Sequence, residues 1–223
     1  MPEQSGKRRK RNLQLHTWNA NALLLKVSDI FERSEGHKMS QIITAPSREA
    51  PLFASLFLAG GITGCKDWQK EVIAELENEN VSIYNPRQEQ FNTADTSAAY
   101  RQITWEYERL EQMDIFSMYF CGWYNFKTDQ ESEQPICMYE LGRNILRMQN
   151  RFPSDWHKRI HISIEEGYPR AKDVIIQTEL CAPSLFVATN ADPKLHADYL
   201  KRIIRCLNRS HEGAGIFRRT DMM

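Results

Sequence analysis

The ten residues 56–65, LFLAGGITGC, decide how this chain folds. Four apolar residues at 56–59 run into a pair of glycines, and a third glycine, Gly64, follows three positions later. Such a run is typical of a buried strand that turns sharply into a helix. The stretch is not a phosphate loop of the G-x-x-x-x-G-K-[ST] type, because Cys65 follows the last glycine, and it does not match G-x-G-x-x-G. A turn that admits a sugar or a phosphate and an ordinary strand-to-helix turn both remain open.

Downstream of this strand, apolar runs alternate with amphipathic stretches. The predicted strands are 56–59, 81–84, 114–120, 160–164 and 185–188, and the predicted helices are 66–80, 96–113, 138–148, 171–180 and 191–208. Alternation of this kind predicts an α/β fold, with a parallel sheet of about five strands and helices on both faces. Ligands of such sheets bind outside the carboxyl ends of the strands. That rule points to residues 60–64, 85–87 and 120–140.

Composition excludes several classes of protein. The 223 residues carry 29 basic and 29 acidic side chains, so no net charge draws the chain to nucleic acid or to a membrane surface. No apolar stretch reaches the roughly 18 residues of a membrane span. Five widely spaced cysteines without a C-x-x-C pair argue against a disulfide framework and a zinc site, and His157 and His161 lack an evident third ligand. We therefore expect a cytoplasmic protein without a metal or a membrane.

The two ends of the chain differ from its middle. A basic run, KRRKR, occupies residues 7–11, and a polar stretch with two prolines and a glycine precedes the first strand. We predict a basic, partly disordered extension over 1–50, a main domain over 51–210 and a C-terminal tail over 211–223. The run at 7–11 resembles a nuclear-localisation or nucleic-acid patch, which leaves a nuclear location open. Our interpretation is a solvated tail, and we expect no nucleic-acid partner.

Three carboxylates lie near the expected ligand edge. Glu140, in YELG (139–142), falls in the first turn of a predicted helix, whose positive end would keep it ionised and lower its pKa. An ionised carboxylate suits a nucleophile, although Glu140 could also merely cap the helix. Asp114 opens the third predicted strand and Glu106 lies on the helix before it; two carboxylates are the minimum needed to cleave a glycosidic bond. Asp114 could instead lie at the bottom of the sheet.

Five motifs occur in order along the chain: FLAGGITGCKDWQ (57–69), NPR (85–87), ITWEYERLEQMDIF (103–116), PICMYELG (135–142) and YPRAKDV (168–174). Together they resemble the nucleoside 2-deoxyribosyltransferase-like family over about residues 54–190. The resemblance implies a flavodoxin-like (Rossmann-like) fold and cleavage of the N-glycosidic bond of a nucleoside or nucleotide, with no metal or organic cofactor. It also implies a homo-oligomer in which a neighbouring chain helps to close each pocket.

The resemblance assigns roles to individual residues. Glu140 would be the nucleophile, Asp114 would lie close to the base, and Asp114 or Glu106 would supply or relay the proton for the departing base. The substrate-binding set that it implies is Phe57, Gly60, Gly61, Thr63, Asn85, Arg87, Trp105 and Gln134. Two members of that set depart from the family pattern. Phe57 stands where the well-studied enzymes carry a tyrosine, and Gln134 stands at an aspartate or serine position.

The sequence thus favours an enzyme that passes the sugar of a (deoxy)nucleoside to another base or to water. A nucleotide or NAD N-glycosidase, with Arg87 or Arg170 binding phosphate, is an alternative. A nucleotide sensor that has lost the reaction is another, given Phe57 and Gln134. A nucleic-acid binder that uses residues 7–11 ranks last.

Overall fold

A computed structural model describes residues 39–88, 95–122, 124–125, 130–131 and 133–213 of the chain. The basic run at residues 7–11, most of the predicted N-terminal extension and nearly all of the predicted C-terminal tail lie outside the described residues. Among the described helices, none combines the length and the apolar character needed to cross a membrane.

Strands and helices alternate as predicted. The strands are β1 (Gln41–Thr44), β2 (Ser55–Gly60), β3 (Ser82–Asn85), β4 (Ile115–Phe120), β5 (Tyr124–Asn125), β6 (Gln130–Glu131), β7 (Ile160–Ile164) and β8 (Val187–Thr189). The α-helices are α1 (Trp68–Glu75), α2 (Thr96–Gln112), α3 (Pro135–Arg151), α4 (Ala171–Cys181) and α5 (Pro193–Gly213), with a short 3-10 helix at Trp156–Lys158.

Six of the strands form one parallel sheet in the order β1-β3-β2-β4-β7-β8, and β5 pairs with β6 in a separate antiparallel ribbon. The chain passes from β2 outward to β3 on one side, and then returns to place β4 on the other side of β2. This reversal puts the switch point of the sheet between the carboxyl ends of β2 and β4, where Gly60 pairs with Tyr119. The predicted α/β, flavodoxin-like architecture is confirmed.

The helices cover both faces of the sheet because β2 is apolar on both sides. Phe57 and Ala59 pack in one core cluster with residues of α2, α3 and α4. Leu56 and Leu58, which alternate with them, pack in a second cluster with residues of α1 and α5. Side chains of a strand point to opposite faces in turn, so a continuous apolar run indicates a strand that is buried twice.

The prediction of about five strands is one too low for this sheet. The additional strand is β1, which pairs with β3 from Gln41 to Thr44 and lies in the region that we assigned to the N-terminal extension. Its four residues, QIIT, bury only Ile43 completely, so their hydrophobic pattern is too short to predict a strand. The sheet therefore begins before residue 51, and its edge is formed by backbone pairing rather than by an apolar run.

Candidate functional site

A cavity of about 390 Å³ opens at the switch point of the sheet. It is bounded by the end of β2, the glycine turn after it, one side of α2 and the first turns of α3. Seven of the residues that the sequence nominated line this cavity: Phe57, Gly60, Gly61, Thr63, Glu106, Gln134 and Glu140. The carboxyl-edge rule therefore located the right end of the sheet.

The glycine turn has the closest packing in the site. A Cβ atom on Gly60 would meet the carbonyl group of Tyr119 and come within 2.6 Å of the indole ring of Trp68. One on Gly61 would collide with the side chains of Cys65 and Gln134. The indole Nε1 of Trp68 donates a hydrogen bond of 2.9 Å to the carbonyl of Gly61. The turn is therefore a rigid backbone wall of the cavity, and a side chain at either glycine would displace it.

Glu140 lies deeper in its helix than predicted. Helix α3 begins at Pro135, so Glu140 is its sixth residue and there is no acidic residue in the first turn. Burial and, to a smaller extent, repulsion from Glu106 raise the pKa of Glu140 to about 7. Attraction to Arg143 acts in the opposite direction but is weaker. The expectation that the helix N-terminus lowers this pKa is wrong, because the dipole effect fades within the first turn and burial dominates.

Glu106 approaches the same cavity from α2. Burial raises the pKa of its carboxyl, and a hydrogen bond of 2.6 Å from Gln102 Nε2 to Glu106 Oε1 opposes that shift. Since Glu106 in turn raises the pKa of Glu140, the two groups titrate as a coupled pair. Two helices thus bring together two carboxyl groups whose pKa values are both raised by burial.

Gln134 joins the cavity to the central strand of the sheet. This buried residue precedes α3 with a left-handed backbone, φ 48° and ψ 54°. Its Nε2 donates to the carbonyl of Cys121 at 2.6 Å, and its Oε1 accepts from the amide of the same residue at 3.2 Å. An amide can form this reciprocal pair, whereas a carboxylate offers only acceptors. Gln134 therefore fixes the start of α3 relative to the end of β4.

Arg87 and Asn85 lie just outside the cavity. Arg87 donates from Nε to Gln69 Oε1 at 2.9 Å and from its guanidinium to the carbonyls of Lys66 (3.0 Å) and Ile62 (3.3 Å). Asn85 Oδ1 in turn accepts from the backbone amide of Arg87 at 3.1 Å. The structure thus places both residues behind the glycine turn, which they hold in position.

Trp105 lies beneath the cavity wall. Its ring centroid is 6.2 Å from that of Phe57 and 6.3 Å from that of Tyr84, and its Nε1 donates to the carbonyl of Ser47 at 2.7 Å. Only 4% of the residue is exposed, and it does not line the cavity. Trp105 therefore supports Phe57 from below and does not reach the space that a ligand would fill.

The structure does not bring Asp114 to the site. Its Oδ2 accepts hydrogen bonds of 3.0 Å from the backbone amide and the hydroxyl of Ser55, and Arg151 lies 3.6 Å from Oδ1. These contacts lie at the amino ends of β2 and β4, about 16 Å along the strand from Gly60. The expectation that Asp114 lies beside the base is corrected, and the alternative position at the bottom of the sheet is confirmed.

Several cavity residues were absent from the predicted set. Cys137 is buried one turn before Glu140, and burial raises the pKa of its thiol. Glu133 and Pro86 also line the space. One signal could have found Cys137: proline favours the first position of a helix, so Pro135 places the start of α3 three residues before the predicted one.

Among the described residues that line the cavity, the charged ones are all acidic: Glu106, Glu133 and Glu140. Within the described part of the chain, no group of three or more histidine, cysteine, aspartate or glutamate side chains is arranged to hold a metal ion.

These features define a class of protein: a doubly wound α/β domain with a carboxylate-lined, small-molecule cavity at its switch point. Residues 54–152, less than half of the chain, match the family model described as nucleoside 2-deoxyribosyltransferase like. The resemblance drawn from the motifs is confirmed over this segment, which runs from the start of β2 to the end of α3 and contains all of the described residues that line the cavity. The match indicates a glycosyl-transferring or glycosidase-like enzyme. No curated protein matches the chain.

Proposed function

We propose that this protein cleaves the N-glycosidic bond of a (deoxy)nucleoside and transfers the sugar to another base or to water. The observation that carries the proposal is the coupled pair Glu140 and Glu106, which line one cavity beside a rigid glycine turn. Retaining cleavage of a glycosidic bond needs two carboxylates in different protonation states. The family match supports the choice of a nucleoside as substrate.

In the first step, the ionised Glu140 attacks C1′ of the sugar from the face opposite the base. The C1′–N bond breaks through an oxocarbenium-like state, its electron pair passes to the base nitrogen, and Glu106 protonates the departing base. The sugar remains bound to Glu140 as an ester. In the second step, a new base or a water molecule loses a proton to Glu106 and attacks C1′, which releases Glu140 as a carboxylate.

This assignment requires that the pair hold one proton between them, with Glu140 ionised. The Arg143 guanidinium favours the ionised form of Glu140, and burial favours the protonated form of Glu106. Because repulsion from Glu106 helps to raise the pKa of Glu140 to about 7, the two carboxyls share one proton near neutral pH. The choice of Glu140 as the nucleophile and Glu106 as the acid rests on the motif at 139–142 and on the family match.

The lining favours an uncharged nucleoside over a nucleotide. The acidic lining would repel a 5′-phosphate, and the described lining residues include no lysine, arginine or histidine. Arg87 is committed to the glycine turn, and Arg170 pairs with Asp173 on the surface. A nucleotide or NAD glycosidase therefore has less support than a nucleoside-cleaving enzyme.

A homo-oligomer is supported by the surface next to the cavity. Helices α2 and α3 expose apolar and aromatic side chains at helical spacing: Tyr100, Ile103, Tyr107, Ile136, Tyr139 and Leu146. The Arg143 guanidinium lies over the rings of Tyr107 (5.2 Å) and Tyr139 (5.7 Å). Tyrosine and arginine are the residues that most often dominate binding at interfaces. Light scattering tests this surface: we expect the Tyr107→Glu variant to have a smaller molar mass in solution than the wild type.

The function is tested by chromatography of reactions that contain deoxynucleosides or their 5′-phosphates, with and without an acceptor base. Base exchange by the wild type but not by Glu140→Gln would establish a transferase, and free base without exchange a hydrolase. Intact mass spectrometry should detect one added sugar on the wild type and none on the variant. Binding without turnover of any substrate would contradict the proposal and favour a sensor.

A further inference from the structure

A glutamine on α2 is hydrogen-bonded to the carboxyl that we assign as the acid. Gln102 lies one helical turn before Glu106 and forms three hydrogen bonds through its side-chain amide. Its Nε2 donates to Glu106 Oε1 at 2.6 Å and to the carbonyl oxygen of Pro86 at 2.7 Å, and its Oε1 accepts from Gln88 Nε2. Gln102 does not itself line the cavity.

The orientation of this amide follows from the chemistry of its partners. The Pro86 carbonyl can only accept a hydrogen bond, so the NH₂ group of Gln102 must face it. Reversing the amide would place two oxygen atoms against each other and two NH₂ groups against each other. The second N–H of Gln102 is therefore always directed at Glu106 Oε1.

This N–H distinguishes the two oxygens of Glu106. A neutral carboxyl has one carbonyl oxygen, which accepts hydrogen bonds well, and one hydroxyl oxygen, which carries the proton. A donor directed at Oε1 selects Oε1 as the carbonyl oxygen and leaves the proton on Oε2. Burial of Glu106 raises its pKa, so the protonated form in which this choice matters is favoured.

We propose that Gln102 is a positioning residue that keeps the acidic proton of Glu106 on Oε2, from which it is passed to the leaving base. This rests on the proposed function, in which Glu106 is the acid. As the C1′–N bond breaks, its electron pair passes to the base nitrogen and the Oε2 proton moves to that nitrogen. Glu106 becomes a carboxylate that still accepts from Gln102, so the hydrogen bond need not rearrange during the reaction.

Gln102→Met removes the amide while keeping the length of the side chain. A matched control is Gln112→Met, the same change on the last turn of the same helix, where the exposed Gln112 accepts a hydrogen bond from Arg109. Two substrates are compared: the best neutral deoxynucleoside from the assay above, and 7-methyl-2′-deoxyguanosine. The base of the second already carries a positive charge and leaves without receiving a proton.

We expect Gln102→Met to lower kcat for the neutral deoxynucleoside by about 10-fold or more. Its kcat for 7-methyl-2′-deoxyguanosine should stay within about 2-fold of the wild-type value, since the departing base needs no proton from Glu106. Gln112→Met should change neither rate. An equal loss on both substrates would mean that Gln102 only supports the structure, and it would overturn the proposal.

A second readout does not depend on turnover. In ¹³C NMR of protein labelled at the glutamate carboxyls, the Glu106 signal is assigned from its loss in Glu106→Gln. An N–H donated to a carboxylate favours the ionised form, so Gln102→Met should move the titration of Glu106 upward by about half a pH unit or more. An unchanged titration overturns the proposal, whereas inactivity of the wild type on every nucleoside refutes the proposed function instead.

Discussion

The two faces of the sheet each hold a pair of titratable side chains whose pKa values are shifted by burial. On one face, Glu106 and Glu140 line a cavity. On the other, His161 and His196 lie 5.0 Å apart between the sheet and α5, and Ser163 Oγ is hydrogen-bonded at 2.8 Å to a ring nitrogen of each. Burial lowers the pKa of both histidines, that of His161 to about 3.

The difference lies in what the pairs face. The second ring nitrogen of His196 is hydrogen-bonded to Ser117 Oγ at 3.0 Å, and Tyr199 stacks on His161 with ring centroids 4.5 Å apart. The histidines are neutral, packed and sealed from solvent, so their shifts report only the cost of burying a charge. The pKa values of the two glutamates are also shifted by burial, upward in their case, at the wall of an open cavity. A perturbed pKa therefore indicates a functional site only where a ligand can reach the group.

Of the substitutions that test this difference between the two faces, we expect the largest effect on turnover. Glu140→Gln removes the nucleophile and should lower kcat/KM for base release by about 10³-fold or more. His161→Gln, a change at a buried titratable residue on the other face, should leave kcat/KM of the folded protein within a few-fold. Steady-state assays at pH 7.5 on both variants check this. Comparable losses in the two variants would contradict the functional difference between the faces.

The pH dependence of turnover should follow the carboxylate pair. In the active state the pair holds one proton, and burial together with repulsion from Glu106 retains the last proton up to about pH 7. kcat/KM should therefore fall toward about 10-fold for each pH unit above that value, as the proton that the leaving base needs is lost. Glu106→Gln removes the repulsion, so the titration of Glu140, followed by ¹³C NMR of labelled glutamate carboxyls, should move to lower pH. A titration of Glu140 that stays in place in Glu106→Gln would mean that the two carboxyls do not interact.

Asp114 and Glu106 form a second useful contrast, between the two edges of the sheet. Glu106→Gln should lower kcat by about 10²-fold or more, because the departing base loses its proton donor. Asp114→Asn should leave kcat nearly unchanged and lower the free energy of unfolding by about 1–3 kcal/mol, since it weakens the contacts to Ser55 and Arg151. Urea denaturation and the assay together distinguish the two; a strong loss of kcat in Asp114→Asn would contradict the placement.

How much of this could be predicted from the sequence depends on the range of the interactions. The run at 56–59 predicts β2 and the sheet because burial on both faces needs a continuous apolar stretch. The motifs and the carboxyl-edge rule place Glu140 and the glycine turn at the correct end of the sheet, although the helix that carries Glu140 begins three residues before the predicted start. Asp114 was misplaced because a residue that opens a strand lies at the opposite edge from one that ends it. Gln102 was missed because its role depends on Pro86 and Gln88, which only the fold brings next to it.

The carboxylate site should also reduce stability at neutral pH. The folded-state pKa of Glu140 is raised from 4.5 to about 7, so its contribution to folding is fully present below pH 4.5 and is lost as the pH rises through 7. Glu140→Gln should therefore increase the free energy of unfolding at pH 8 by about 1–3 kcal/mol and have little effect at pH 4.5. Urea denaturation at both pH values measures this. Equal effects at the two pH values would show that the charge of Glu140 does not destabilise the folded protein.

The histidine face should respond in the opposite direction and more gradually. A folded-state pKa of about 3 for His161, below its ordinary value of 6.5, means that its contribution to stability is complete above pH 6.5 and declines as the pH falls toward 3. Each buried histidine should cost about 1 kcal/mol for each pH unit below 6.5. His161→Gln should flatten this decline between pH 6.5 and 5 relative to the wild type, as measured by urea denaturation. If the variant and the wild type lose stability in parallel, the two imidazoles are not the groups that resist protonation. That result would contradict the contrast drawn here between the histidine pair and the glutamate pair.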